Sequence, residues 1–266
     1  MPMAKLNDKD YKRVLLVDAD MVCFRACSAC AKDVDWGNEI HSLYVDVNEA
    51  VMYLQEHMDF YVQDALEKDS FTGGKIKVVY CFSDRSGNIF RKKLLSTYKL
   101  NRVGKSKPIG YWALKKWVET NCETCEIKYL EADDVLGILA TGRYKGKAII
   151  LSGDKDMKSI PTKVYNILDG TLLYVTPELA EWFHYYQTLI GDKADNYTGC
   201  PKVGPVKATR ILEDQGTTWE SVENMFVRSG LSKEDALIQA RVSYILQDKD
   251  FKKGKVRLWT PPKKIR

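Results

Sequence analysis

Short apolar runs alternate with longer amphipathic stretches through the first two thirds of the chain. Arg13–Asp18 (RVLLVD) is a compact, β-branched run ending in an acid, which predicts a buried strand. Lys77–Phe82 (KVVYCF), a β-type segment at Glu126–Leu130 and Lys147–Leu151 (KAIIL) repeat that signature. Lys163–Ile167 and Leu172–Val175 flank an Asp169-Gly170 turn, and Phe71–Lys75 forms another. Between these runs, Met21–Ala31 reads as helical, and Asn48–Leu66 carries Val51, Leu54, Met58, Tyr61, Val62 and Leu66 along one side. Tyr111–Glu119 is a shorter helix, and Val135, Leu136, Ile138, Leu139 and Ala140 give another directly after Glu131-Ala-Asp-Asp134. Strands alternating with helices predict an α/β fold with a mostly parallel central sheet flanked by helices.

The last third is helical in pattern. A Thr176 cap and Pro177 open an aromatic-rich helix to Ile190. A glycine-rich hairpin, Gly199–Ala208, leads into a helix over Val206–Glu213, and Trp219–Phe226 and Ser232–Leu246 are further amphipathic helices. The expected organisation is an α/β core over 1–175, with an acidic helical region at 33–69 and a basic stretch at 91–118. A helical region over 176–266 then carries the hairpin at 191–213.

Composition narrows this picture. The 266 residues, 45% of them hydrophobic, suffice for a sizeable core. No apolar run reaches the roughly 18 residues of a membrane span, and the opening MPMAKLNDKD lacks the apolar stretch of a signal peptide. A cytoplasmic protein is expected. Seven scattered cysteines suit free thiols in a reducing compartment. Cys23, Cys27 and Cys30 recur at helical spacing as a small buried face, while Cys122 and Cys125 are half of a zinc site without its second half. With only His41, His57 and His184, widely separated, catalysis falls to carboxylates, lysines or metals.

The net charge of +5 is unevenly spread. From Arg91 to Val118 every charged residue is basic: Arg91, Lys92, Lys93, Lys99, Arg102, Lys105, Lys107, Lys115 and Lys116. Asp33–Asp69 is acidic, and the basic tail from Lys249 to Arg266 reads as a solvated face. A basic block beside clustered carboxylates points to a polyanionic substrate brought to a metal.

Glu131, Asp133 and Asp134 stand where a strand gives way to a helix. Either they cap that helix, at about 0.3–1 kcal/mol each, or they hold a cation. Asp18, Asp84, Glu131 and Asp154 all follow strand ends, the edge where α/β sheets place their functional crevice. A shared metal site accounts for the whole set, whereas separate caps explain each acid alone. Asp18, Asp84, Glu131, Asp133, Asp134, Asp154, Asp156, Asp192 and Asp195 offer enough hard oxygen ligands for two Mg2+ ions, with Mn2+ able to substitute. Paired ions suit in-line phosphodiester hydrolysis. Lys99, in Tyr98-Lys-Leu-Asn-Arg102, is the best-placed cation for charge developing at the phosphate. The hairpin is either an ordinary αα-turn or a phosphate-binding loop, with Lys202, Lys207 and Arg210 adding charge.

Taken in order, Leu-Val-Asp18, Phe-Ser-Asp84, Tyr98-Lys99…Asn101-Arg102, Glu131-Ala-Asp-Asp134, Gly153-Asp-Lys-Asp156 and Gly191-Asp-Lys-Ala-Asp195 resemble the flap endonuclease/5′→3′ exonuclease superfamily. Phe90-Arg-Lys-Lys, Lys107–Tyr111, Asp154–Pro161 and Glu181–Gln187 bring the chain nearest to the 5′→3′ exonucleases of tailed bacteriophages, over roughly residues 13–260. The resemblance implies hydrolysis of duplex DNA from a 5′ end, nick or flap, with some cutting of RNA–DNA hybrids, in phage replication, recombination or host DNA breakdown. It implies Asp84, Glu131 and Asp133 at a first metal, with Asp18 direct or through water, and Asp154, Asp156, Asp192 and Asp195 at a second. Asp134 fits either shell or the cap, and Asp20 has no firm counterpart. Catalytic roles fall to Lys99, Asp154 and Glu131. DNA contacts fall to Arg91, Lys92, Lys99, Arg102, Gly199, Lys202, Gly204, Lys207 and Arg210, with a K+ ion at the hairpin. The roughly thirty residues between Lys99 and Glu131 are fewer than in members with a full helical arch, which argues against threading a long flap. The region 33–69 is either a solvated helical appendage or a surface for a replication partner.

Three other readings compete. An aspartyl-phosphate phosphatase would use Asp18 and Asp20, but leaves Glu131–Asp134, Lys99 and the hairpin without work. A duplex-binding module with an inactive nuclease site would be repelled from phosphate by its own carboxylates. A small metal-dependent ribonuclease of the PIN kind shares the acidic sheet edge but not the hairpin.

Overall fold

The computed structural model describes residues 8–262. The opening residues 1–7, on which the expectation about a signal peptide rests, and the last residues of the basic tail, 263–266, lie outside the described residues. Strand β1 (Tyr11–Asp18) is the centre of a six-stranded sheet. Its Val14, Leu15, Leu16 and Val17 are all 0% exposed, because helices cover both faces, and this is why the run is continuously apolar. The first helix, α1 (Ala19–Ala29), follows directly. A hairpin of β2 (Ala31–Asp35) and β3 (His41–Val45) leads to the long α2 (Val47–Lys68) and β4 (Lys75–Phe82). Next come α3 (Arg91–Leu94), α4 (Tyr111–Asn121), β5 (Thr124–Glu126), α5 (Ala132–Thr141), β6 (Ala148–Ser152), β7 (Lys163–Asn166) and β8 (Leu172–Tyr174). The sheet order is β5-β4-β1-β6-β7-β8, parallel except for the last strand. Successive strands run outward from β1 in both directions, so the crevice beside its carboxyl end is the switch point of the sheet.

Side-chain alternation divides the core. Leu15, Val17, Tyr80, Phe82, Ile149 and Leu151 pack under α1, α2 and α4, whereas Val14, Leu16, Val79, Cys81 and Ile150 face α5 and residues 244–246. A separate cluster joins α6 (Pro177–Ile190), α7 (Pro205–Asp214), α8 (Trp219–Arg228) and α9 (Lys233–Ser243). The short strands β9 (Phe251–Lys252) and β10 (Lys255–Val256) pair near the end.

Two expectations need correction. The strand placed at Glu126–Leu130 is β5, three residues long and ending at Glu126. Beyond it the backbone bonds the loop after β4: Tyr129 adopts φ +70°, its N–H donates to Asp84 at 2.6 Å, and the Asp84 N–H donates to the Leu130 carbonyl at 2.8 Å. The acidic region 33–69 is no solvated helical appendage. It begins as an exposed hairpin, and α2 buries Ala50, Leu54, Met58, Tyr61 and Ala65 against the sheet. Acids occupy its outer face while the apolar stripe forms part of the main core.

Candidate active site

The carboxyl ends of β1, β4 and β6, with the start of α5, open into a cavity of about 620 Å³. Asp18, Asp20, Asp84, Glu131, Asp133, Asp154 and Asp195 line it together with Lys99, Arg102, Lys107, Arg25 and Arg85. Each acid is held by its local fold. Asp18 caps α1 through the Met21 N–H at 3.1 Å and accepts the Ser152 hydroxyl at 2.9 Å, tying β1 to β6. Asp154 caps a short 3-10 turn over Lys155–Ser159 through the Asp156 N–H at 2.9 Å. Asp84 accepts from Ser86 N–H (3.0 Å), Ser86 Oγ (2.8 Å) and Tyr129 N–H. Burial pushes its pKa up, but these bonds outweigh burial and hold it below the usual carboxylate value.

Glu131 is buried and shared among three donors: Lys99 Nζ, Arg91 Nη1 at 2.9 Å and Tyr98 OH at 3.0 Å. Burial opposes its ionisation, yet the Lys99 and Arg91 charges bring its pKa down to about 2. Other acids go the opposite way. Burial first, then Asp20, lifts Asp18 to about 6, against the Ser152 and Met21 bonds. Burial with Asp154 and Asp18 raises Asp133 well above the normal range. Asp156, half-buried beside Asp154, is raised to about 7 by desolvation and by the Asp154 charge, despite a 2.5 Å bond from Gln187 Nε2. The cavity therefore concentrates negative charge that the protein's own cations neutralise only in part.

Lys99 sits at φ +54°, with its N–H on the Asp195 carbonyl at 2.8 Å and Nζ between Glu131 and Asp195, the latter at 3.4 Å. Arg102 Nη2 reaches Asp195 Oδ1 at 2.6 Å, so the basic stretch is fastened to the loop after α6. Asp156 and Asp192 do not line the cavity. Asp192 is pulled below its ordinary pKa, burial being outweighed by Lys155 at 2.8 Å and by the Ala194 and Asp195 N–H groups. Among the described residues no three His, Cys, Asp or Glu side chains form a ready-made metal cluster. The donor set is nonetheless all oxygen and anionic, with neighbours that resist ionising together, and it fits hard divalent cations held partly through water.

Two assigned residues do other work. Asp134 is 0% exposed and accepts both Arg91 guanidinium nitrogens (2.6 and 2.8 Å) and the Leu246 N–H (3.0 Å), leaving no oxygen for a metal. Arg91, 3% exposed, also donates to the Val242 and Tyr244 carbonyls, so it does not reach DNA. Together they form a buried clamp that ties Glu131 to the backbone of residues 242–246. Lys115 of the basic stretch is likewise buried, paired with Glu126 at 2.7 Å. Asp20, omitted from the candidate set, lines the cavity and accepts from the Ser83 N–H (3.1 Å) and the Tyr111 hydroxyl. It has no firm counterpart in the family's motifs; only the neighbouring segments at Ser83 and Tyr111 reveal its place.

Lys92, Lys202, Lys207 and Arg210 are exposed, and Arg210 pairs with Asp214 at 3.2 Å. Gly204 caps α7. Gly199 (φ +64°) and Gly191 (φ +70°) touch backbone to backbone: a Cβ on Gly199 would lie 2.3 Å from the Gly191 nitrogen. These glycines let the chain double back between α6 and α7.

Comparison with known proteins follows the same lines. Residues 13–184 match the family described as 5′-3′ exonuclease, N-terminal resolvase-like domain. The chain is 28% identical to the exodeoxyribonuclease of Enterobacteria phage T3, over 95% of this chain and 94% of that one. It is 29% identical to the exonuclease of Escherichia phage T7, over 95% of each. The bacteriophage T5 flap endonuclease, solved with DNA and metal ions, superposes with a TM-score of 0.54 at 16% identity, covering 86% of this chain and 89% of that one.

Proposed function

The chain belongs to the 5′-3′ exonuclease family and is a 5′→3′ nuclease; from that premise we propose that it hydrolyses one strand of duplex DNA inward from a 5′ end, using two Mg2+ ions or Mn2+ in their place. The carrying observation is convergence: acids from β1, β4, α5 and β6 share one cavity with Lys99 and Arg102. The chemistry such ions supply when bound is polarisation of the scissile phosphate and neutralisation of charge on the attacking and leaving oxygens. Asp84, Glu131 and Asp133, with Asp18, would hold one ion. Asp154 and Asp195, backed by Asp156 and Asp192, would hold the other.

Lys99 contacts the scissile phosphate and stabilises charge growing there, as its approach to Glu131 and Asp195 supports. Arg102 meets the 5′ end, while Lys92, Lys202, Lys207 and Arg210 bind the duplex backbone. The Gly199–Gly204 loop offers main-chain groups to phosphate and a K+ ion. Cutting of RNA–DNA hybrids, action in a bacterial host's cytoplasm and a replication partner on the exposed β2–β3 hairpin belong to the same reading.

The test uses a 5′-labelled duplex, a 3′-labelled duplex and a 5′-flap substrate, each with Mg2+ and with chelator. Cleavage from the 5′ end that stops on chelation is expected, with Asp154→Asn inactive yet still binding duplex in a mobility-shift assay. Cutting that survives chelation, or starts from the 3′ end, would overturn the reading.

A further inference from the structure

One wall of the cavity is apolar. Met21, Phe24, Trp112 and Leu168 border the same space as the carboxylates. Trp112 stands in the first turn of α4, 49% exposed. Its indole is braced edge-on by Tyr111 (centroids 5.1 Å apart, planes at 87°), whose hydroxyl is held by Asp20. Arg85, the residue after Asp84, is exposed and lays its guanidinium over the indole at 5.2 Å. Its backbone is anchored by the Arg85 N–H on Glu126 Oε1 at 3.2 Å. Neither side chain belongs to any of the buried core clusters.

A rigid, half-exposed indole backed by a cation, facing a cavity for a polyanion, has the chemistry on which nucleobases stack. The cavity volume of about 620 Å³ lies within the roughly 300–1,000 Å³ of small-molecule sites, large enough to admit a nucleotide. We propose that Trp112 and Arg85 form a stacking platform for one unpaired base of the strand being cut, with Arg85 also charge-pairing its adjoining phosphate. The inference rests on the nuclease reading above. It makes end recognition tolerant of sequence, since every base presents a π-face.

The experiment measures equilibrium binding and single-turnover cleavage on a 5′-labelled duplex. The duplex is intact or carries an abasic sugar at the first or second nucleotide from the 5′ end. The wild-type protein should lose roughly 5- to 100-fold in affinity on one abasic duplex. Trp112→Ala should lose a similar factor on the intact duplex and nothing more on that abasic one, and Trp112→Phe should recover most of the loss. Arg85→Ala should lower the slope of log affinity against log salt by about 1. Equal losses for Trp112→Ala on intact and abasic duplexes, or a wild-type protein indifferent to both abasic positions, would overturn the platform. Should Trp112→Ala fail to fold, Trp112→Phe and the wild-type abasic comparison decide the matter. Absence of metal-dependent 5′ cleavage by the wild-type protein would instead refute the nuclease reading, while the binding arm would still decide the stacking.

Discussion

Replacing Arg91 with alanine separates two accounts of the basic stretch. In the structure its guanidinium donates to Val242 O (2.9 Å), Tyr244 O (2.6 Å), Glu131 Oε2 (2.9 Å) and both Asp134 oxygens (2.6 and 2.8 Å). Without it, Asp134 stays fully buried with only backbone donors, the nearest being Leu246 N–H at 3.0 Å. Stripping one partner from a buried pair costs about 3–5 kcal/mol, because a charge is left uncompensated. At about 2–4 °C per kcal/mol for a domain of this size, the melting temperature should fall by roughly 6–20 °C. The double variant Arg91→Met with Asp134→Leu should recover much of that fall, since it removes both charges. Melting is followed by circular dichroism, in parallel with duplex affinity across a salt series. An arginine that touched DNA would behave differently: melting unchanged, and the salt slope shallower by about 0.9. That outcome would refute the clamp.

Lys99→Ala should slow turnover by about 10²–10³-fold with a much smaller change in duplex affinity; an effect on affinity alone in pre-steady-state kinetics would remove it from the reaction. Asp18 and Asp156 keep their protons in the folded state to about pH 6 and about 7, whereas the unfolded chain releases them near 3.8. The metal-free protein should therefore lose stability as pH climbs from about 4 to about 7, and Mg2+ should raise the melting temperature more at pH 8 than at pH 5. Glu131 acts with the opposite sign and at lower pH: its stabilisation is present above 4.5 and fades as pH falls toward about 2. Equal Mg2+ effects at both pH values in a calorimetric series would contradict this account. Gly199→Ala forces a Cβ to 2.3 Å from the Gly191 nitrogen at φ +64°, so a loss of more than about 2 kcal/mol is expected in denaturant unfolding.

The sheet was legible because a strand covered on both faces leaves a short apolar run whose last residue reaches the crevice. Asp18, Asp84 and Asp154 were found by that logic alone. Asp134 was not separable from Asp133 by sequence: both are acids in the first turn of α5, and only the partner 43 residues away decides which one turns inward. Arg91 was hidden for a related reason, as it opens a run with Lys92 and Lys93 that reads as one DNA-facing basic block. The β2–β3 hairpin escaped because most of its residues are exposed on both faces, which removes the alternation that marks a half-buried strand. In α2 the acidic composition masked an apolar stripe that was visible residue by residue.

The Arg91 clamp also sets an order of events during synthesis. Its two backbone acceptors, Val242 and Tyr244, and the Leu246 N–H on Asp134 come from the far end of the described chain. A ribosome that has completed the whole sheet has still produced none of them, and Arg91 and Asp134 then lack their last three fixed partners. Tyr98 adds a second late link, its hydroxyl lying 3.0 Å from Glu131 and 2.9 Å from Asp195. The candidate site is thus fastened by residues translated well after the sheet that carries most of its acids, so the fold of the core alone does not hold these side chains in place.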